Sequence, residues 1–290
     1  MVFIIATKDR PFELRRLLIS IERQSFWPKQ IIVVDAGTIR AENTIREFPR
    51  LPIIYLSSHI PSASSQRNEG LSVITKSAQY IGFIDDDAVF EENSFLEMNR
   101  FWSRAHPSVV GAGFNLINPP PLFATSFKTH SLIERLGLYS SKKGIVLRSG
   151  FQTMIGTVDR DTKVDWLPSG AVIWKKLIFR KYRFDEWYKG YSYLEDLDFS
   201  YAISRSHHLF VVARAKYQHL PTSQSRGDDY KFGLKESRHR LHFVHKNPEL
   251  SRFKCCQSLF IRMIISFLMF IRTGSLVYLK RIIGNIIGFF

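Results

Sequence analysis

The sequence predicts an α/β fold with a mostly parallel sheet, and two observations carry that prediction. Short, continuous apolar runs rich in β-branched residues recur along residues 1–87, as in strands buried on both faces. Between them lie stretches whose apolar residues return at helical spacing. Strands that alternate with helices in this way pair in parallel through right-handed crossovers.

The first run is VFIIAT (2–7). After it, DRPFELRRLLISIERQ (9–24) offers Asp9 before Pro11 as a helix start and sets Phe12, Leu14, Leu17, Leu18 and Ile21 along one face. QIIVVDAG (30–37) and LPIIYL (51–56) read as the second and third strands, and PSASSQRNEGLSVIT (61–75) as the next helix. The fourth strand, AQYIGFIDDD (78–87), runs straight into three aspartates. Residues 115–165, with NPPPLF and scattered Ser and Gly, show no clean period and read as a variable insertion. HLFVVARA (208–215) is strand-like again.

Sheets of this kind bind ligands beyond the carboxyl ends of their strands. Thr7 and Asp9, Asp35, and Asp85 to Asp87 all fall there. Three like charges in one low-dielectric spot are costly unless a cation or hydrogen-bond donors compensate them, so the triplet predicts a cation or ligand beside it.

With 290 residues, 45% hydrophobic and 14% aromatic, the chain can bury one large core or two small ones, and one catalytic domain plus a tail is expected. Cys255 and Cys256 are adjacent and cannot staple distant segments, which fits a reducing compartment. The opening apolar run is broken by Lys8, Asp9 and Arg10, too early for a signal peptide, so a cytoplasmic location is expected. The net charge of +15 is uneven: Lys plus Arg against Asp plus Glu is 12 to 13 over residues 1–100, 14 to 9 over 101–200 and 15 to 4 over 201–290. A basic membrane or nucleic-acid adaptor predicts basicity spread over the α/β half, which is slightly acidic instead. A nucleotidyltransferase would need a Gly-rich phosphate loop near the N-terminus, and ATKDRP contains no Gly. No nucleic-acid partner is expected.

The ordered set ATKDRP, VVDAG, QRNEG, DDD, WLPSGA and YLEDLDFSYAISR, spread over residues 1–245, resembles family 2 glycosyltransferases, which are inverting, nucleotide-sugar-dependent enzymes of the GT-A fold. The resemblance implies that the triplet is a DXD-type motif, with Asp87 as direct ligand of Mn2+ or Mg2+ and Asp86 or Asp85 as the ribose contact. It points to Thr7, Asp35 and Arg67 for the base pocket, with Asp9 beside them on the donor side. Arg67 and Asn68 would reach the ribose or diphosphate. Asp35 can accept from a uracil or thymine imide, so UDP- or dTDP-linked donors are favoured. The insertion would face the acceptor. Trp166 stacks on a sugar or serves as a core aromatic, and Gly170 lets substrate approach the backbone. Asp196 takes the place of the catalytic base, with Glu195 as the secondary choice. His219, after the late strand, is a second metal ligand and would bias the site toward manganese. Ser225, Arg226 and Lys231 would close over the diphosphate.

The final stretch, from about residue 254, interleaves Arg and Lys with Phe, Ile, Leu and Met. Its longest uncharged run, Met263 to Ile271, is short of the ~20 apolar residues of a membrane span. The expectation is a catalytic domain over 1–245 and a basic amphipathic helical tail over 246–290, lying in the inner face of a membrane or packing against a second copy in a homodimer. The expected enzyme is a metal-dependent hexosyl- or deoxyhexosyltransferase of bacterial polysaccharide biosynthesis, peripheral to the inner membrane and acting on a saccharide or lipid-linked acceptor.

Overall fold

The computed structural model describes residues 1–120, 134, 140–190, 192–221 and 228–290. Contacts divide the chain into two compact units, one of Met1–Pro120 with Ile155–Leu220, the other of Pro121–Met154 with Pro221–Phe290.

The first unit is organised by a 9-stranded sheet. Its strands are β1 (Val2–Thr7), β2 (Gln30–Asp35), β3 (Ile53–Ser57), β4 (Tyr80–Asp85), β5 (Ala88–Phe90), β6 (Val109–Leu116), β7 (Thr162–Val164), β8 (Ala171–Lys175) and β9 (His208–His219). The order is β3-β2-β1-β4-β8-β6-β9-β5, with β7 on β9. The helices of this unit are α1 (Pro11–Glu22), α2 (Glu42–Arg46), α3 (Ala63–Ser72), α4 (Ser94–Arg104) and α5 (Glu195–Ser204). From β3 to β4 every pairing is parallel, as the apolar runs predict. Beyond β4 the sheet is mixed: β8 runs antiparallel between β4 and β6, and β6 and β9 are parallel. Continuous apolar runs report burial on both faces, which β8 shares, so the sequence carries no sign of that reversal.

Phe3, Ile5, Ile31, Val33 and Ile84 from the strands meet Leu14, Leu17, Leu18 and Ile21 of α1 and Phe95 and Met98 of α4 in one core. Phe12, placed on the α1 apolar face by spacing, points outward instead and is 82% exposed. Asp9 does not start α1 either. It sits in a left-handed turn at φ 55, and Arg10 takes the N-cap position without a capping hydrogen bond.

In the second unit α6 (Asp229–Lys246), α7 (Arg252–Thr273) and α8 (Leu276–Ile287) pack together. Gly284 lets α8 approach closely, since a Cβ there would strike the carbonyl oxygen of Tyr230. A buried acid fixes the arrangement: Glu236 of α6 accepts three hydrogen bonds from Arg281 of α8, at 2.9, 3.0 and 3.1 Å, and lies 2.9 Å from Arg262 of α7. Those guanidinium groups outweigh the cost of its burial and hold its carboxyl below the usual range. The other faces of α7 and α8 expose Phe260, Phe267, Leu268, Ile271, Ile283 and Ile286. Despite its arginines, α7 is long and apolar enough to cross a membrane by length and composition, with mean hydropathy 1.6. The nine-residue uncharged run understated it. Cys255 and Cys256 are free thiols.

Candidate active site

Register assembles the site. Thr7 pairs with Asp35 and Ala6 with Asp85, so three parallel strands end in one row. Asp86 and Asp87 form the turn from β4 into β5, and the pairing of Ala88 with His219 brings the end of β9 beside Asp87. Across this row stands the start of α5, preceded by Leu194 at φ 75, a left-handed backbone that a non-glycine residue adopts only when its surroundings over-determine it.

The triplet has its counter-charges in place. Arg10 donates to Asp86 at 2.8 Å and Asp87 at 3.1 Å, and Thr7 Oγ1 donates to Asp86 at 2.7 Å. His219 Nε2 lies 3.1 Å from Asp87 Oδ1, at ion-pair distance, and among the described residues that buried oxygen has no well-aligned hydrogen-bond donor. Burial pushes Asp86 up to about 7, against the pull of Arg10 and Thr7. For Asp87 burial also acts upward but loses to His219 and Arg10, and its carboxyl lies below the usual range. The contact with Asp87 raises His219 in turn.

Arg67 links this cluster to the acids of α5. Buried at 4% exposure, it donates to Asp85 at 2.9 Å and Glu195 at 2.6 Å and stacks on Phe184. Burial and repulsion from Asp196 push Glu195 up to about 8 in spite of Arg67. Burial likewise raises Asp196, against the hydrogen bond from the Leu197 N–H at 2.7 Å. Asp196 is the more open of the two, half-buried where Glu195 is buried.

The structure thus brings together Thr7, Arg67, Asp85, Asp86, Asp87, Glu195, Asp196 and His219. Within the triplet only Asp85 is open, its side chain 39% exposed, while both oxygens of Asp86 are engaged by Thr7 and Arg10. Gly170 closes on the same place, for a Cβ there would stand 3.0 Å from Asp85 Oδ2.

Several residues expected to face the donor turn inward instead. Asp35 is fully buried and accepts from Gly37 N at 2.8 Å, Ala41 N at 2.9 Å and Tyr55 Oη at 3.1 Å. Asp9 Oδ1 accepts from Thr38 N at 2.6 Å and Ile39 N at 2.8 Å, which hold its carboxyl below the usual range, Ile39 first. Both acids shape the loop after β2, where Gly37 leaves no room for a side chain between them. Asn68 binds the Phe184 carbonyl at 2.9 Å and Glu186 at 2.8 Å, so it ties down a loop rather than facing a ribose. Trp166 is buried at 6% exposure, the core aromatic of its two readings. Lys231 is exposed on α6; Ser225 and Arg226 lie outside the described residues.

Two residues escaped the sequence reading. The sequence assigns Arg10 no role beyond breaking the opening apolar run, although a cation next to a strand end full of acids is the available signal. Gln66 donates to the carbonyls of Thr7 and Val34, both at 2.8 Å, and stitches the ends of β1 and β2 together. A mid-helix glutamine carries no such signal.

Carboxylate oxygen and imidazole nitrogen suit a divalent cation, and the unsatisfied Asp87 Oδ1 beside His219 Nε2 fits one. Among the described residues no group of three or more His, Cys, Asp or Glu has metal-site geometry, so further ligands would come from water and substrate oxygens.

Parallel strands ending in acids, a mixed second half and an acid-led helix across the row define a GT-A fold. Residues 2–159 match the model for glycosyl transferase family 2, and the chain belongs to that family. Among solved structures, S. aureus TarS 1–349 in complex with UDP-GlcNAc has a TM-score of 0.58 at 14% identity over 99% of this chain and 88% of that one. Its complex with UDP has a TM-score of 0.53 at 15% identity over the same shares. Another TarS structure has a TM-score of 0.57 at 15% identity over 89% of this chain, and the chain spans 42% of that molecule. These likenesses are of fold. No curated protein sequence matches the chain significantly.

Proposed function

We propose that the chain moves a hexosyl or deoxyhexosyl group, with inversion, from a nucleoside-diphosphate sugar to a saccharide or lipid-linked acceptor in bacterial polysaccharide biosynthesis. The observation that carries this reading is Arg67, which joins Asp85 of the triplet to Glu195 of the acid pair, so that a donor-binding end and a proton-accepting end share one place. TarS, of the same fold, has been crystallised with UDP-GlcNAc, which supports a nucleotide-sugar donor; UDP- and dTDP-linked sugars are favoured.

Asp87 and His219 are assigned to Mn2+ or Mg2+, which when bound would offset negative charge on the leaving diphosphate. Asp85, the open member of the triplet, is assigned to the ribose hydroxyls, and the loop held by Asp9 and Asp35 to the base. Asp196 is the general base: its carboxylate takes the acceptor hydroxyl's proton as that oxygen bonds to the anomeric carbon, while the bond to the nucleoside diphosphate breaks on the opposite face. Its raised pKa suits a group that must accept a proton near neutral pH. Glu195 acts as a positioning residue through Arg67.

The segment 246–290 is read as a membrane-associating tail at the cytoplasmic face of the inner membrane. Six Lys or Arg and no Asp or Glu over residues 250–290, with exposed apolar side chains on α7 and α8, support this. A panel of nucleotide sugars, followed by diphosphate release with and without Mn2+ or Mg2+, tests the activity. Release from a UDP- or dTDP-sugar that needs the cation is the expected result. A product that keeps the donor's anomeric configuration by NMR rejects inversion.

A further inference from the structure

We infer that Arg10 grips the diphosphate of the nucleotide donor through the edge of its guanidinium that the acidic triplet leaves open. The inference rests on the transferase reading above and adds to it a phosphate-binding residue that the metal assignment does not supply.

The backbone before Arg10 sets its side chain in place. Asp9 holds a left-handed conformation at φ 55, which non-glycine residues seldom adopt, and hydrogen bonds from Thr38 N and Ile39 N to Asp9 Oδ1 fix that turn. The Arg10 side chain then lies against the turn from β4 into β5, where Nη1 donates to Asp86 Oδ1 at 2.8 Å and to Asp87 Oδ2 at 3.1 Å. These two bonds use both hydrogens of Nη1. The other donors of the guanidinium sit on Nε and Nη2, whose N–H bonds run parallel along one edge. Among the described residues neither nitrogen has a hydrogen-bond partner or is sealed from solvent, and the side chain is 26% exposed.

Arg67 shows the contrast. Its Nη1 and Nη2 are taken by Glu195 and Asp85, and its side chain is buried. Arg10 is answered by two carboxylates and still keeps a fork open. Those carboxylates pin the guanidinium before any ligand arrives, so little side-chain freedom is left to lose on binding. A pinned planar fork matches the oxygens of a phosphate.

The position selects the diphosphate. Asp87 gives Oδ2 to Arg10 and leaves Oδ1 for the cation assigned to it and His219, so guanidinium and cation flank one carboxylate. Such a cation takes phosphate oxygens among its ligands, which makes a phosphate held there a neighbour of Arg10. Arg10 and a divalent cation together outweigh the two charges of Asp86 and Asp87. When the bond from the anomeric carbon to the diphosphate breaks, its electron pair stays on the phosphate oxygen, and donors already oriented stabilise that charge without rearranging.

The full chain is titrated with uridine, followed by NMR, and with UDP in the presence of Mn2+, followed by calorimetry; electron paramagnetic resonance reads Mn2+ affinity separately. Parent, Arg10→Gln and a charge-matched control at the exposed neighbour, Lys8→Gln, are compared once thermal unfolding has shown each to be folded. In Arg10→Gln, UDP affinity is expected to fall about 10- to 100-fold, as for lost hydrogen bonds between charged groups, with uridine affinity at the parent's level. Mn2+ affinity should not fall, because removing a nearby cation does not repel another. Lys8→Gln should lose much less. If Arg10→Gln does not fold, Arg10→Lys keeps the charge beside Asp86 and Asp87 but lacks the fork, and weaker UDP binding at unchanged uridine affinity is still expected. Equal losses of uridine and UDP, a loss of Mn2+ affinity that parallels the loss of UDP, equal effects of Arg10→Gln and Lys8→Gln, or unchanged UDP binding each overturn the assignment. A parent that binds neither uridine nor UDP overturns the UDP-donor reading along with it, whereas tight UDP binding indifferent to Arg10 overturns this inference alone.

Discussion

At the end of β4, three adjacent carboxylates meet Arg10, Arg67 and His219; at the start of α5, two adjacent carboxylates have, among the described residues, only Arg67 between them. The residue types are nearly the same and the outcome differs. Asp87 is held ionised by its partners, whereas Glu195 and Asp196, short of counter-charge, are both pushed toward the protonated form. Burial and compensation together decide the outcome: burial still pushes Asp86 up to about 7 although Arg10 and Thr7 engage it, while His219 and Arg10 together hold Asp87 below the usual range. An ionised, partly unsatisfied acid suits a cation, and an acid with a raised pKa suits proton transfer. Arg67 is the element both clusters share.

The largest effect is expected where the pair does chemistry. Asp196→Asn keeps size and hydrogen bonding but removes the proton acceptor, so transfer should fall by roughly 100- to 10,000-fold while donor affinity stays near the parent's. Calorimetry of donor binding beside initial rates reads both quantities, and unchanged turnover would move the base to Glu195 or away from the pair. Arg67→Met attacks the shared element. It leaves Asp85 and Glu195 without their counter-charge, and truncating one partner of a buried ionic network costs about 3–5 kcal/mol. Urea unfolding measures it, and a loss below about 1 kcal/mol would show that the two clusters are not coupled through this residue.

How far the sequence foretold this contrast varies by element. The strand runs 2–7, 30–37, 51–56 and 78–87 anticipate β1 to β4 to within about two residues because burial on both faces imprints directly on residue type. The triplet was legible for the same reason, as charge breaking an apolar run. What the sequence did not convey was partnership. Arg10, Gln66 and the inward turns of Asp35 and Asn68 depend on the β1–β2–β4 register and on the loop 184–186, which local periodicity does not encode. His219 was reached only by resemblance; the reason it lies near Asp87 is the pairing of β5 with β9.

A smaller effect tests the triplet's side of the comparison. Asp87→Ala should weaken Mn2+-dependent binding of a nucleoside diphosphate by at least about 10- to 100-fold, the range known for groups that merely support a metal ligand, with the fold intact. Calorimetry with and without Mn2+ reads this; equal affinities in variant and parent would free Asp87 from the cation.

The smallest effect is in pH dependence, and it sharpens the contrast most. Glu195 is raised from 4.5 to about 8 in the folded chain, so between those values the native state holds a proton that the unfolded chain has released. Stability contributed by this group is therefore greatest below pH 4.5 and declines as pH rises toward about 8. Glu195→Gln carries no titrating proton and should flatten the decline, by at most about 1.4 kcal/mol per pH unit for one proton. Urea unfolding of parent and variant across pH 5 to 8 gives the two slopes. Parallel slopes would mean that Arg67 keeps Glu195 ionised throughout, and the acid pair would then resemble the triplet instead of opposing it.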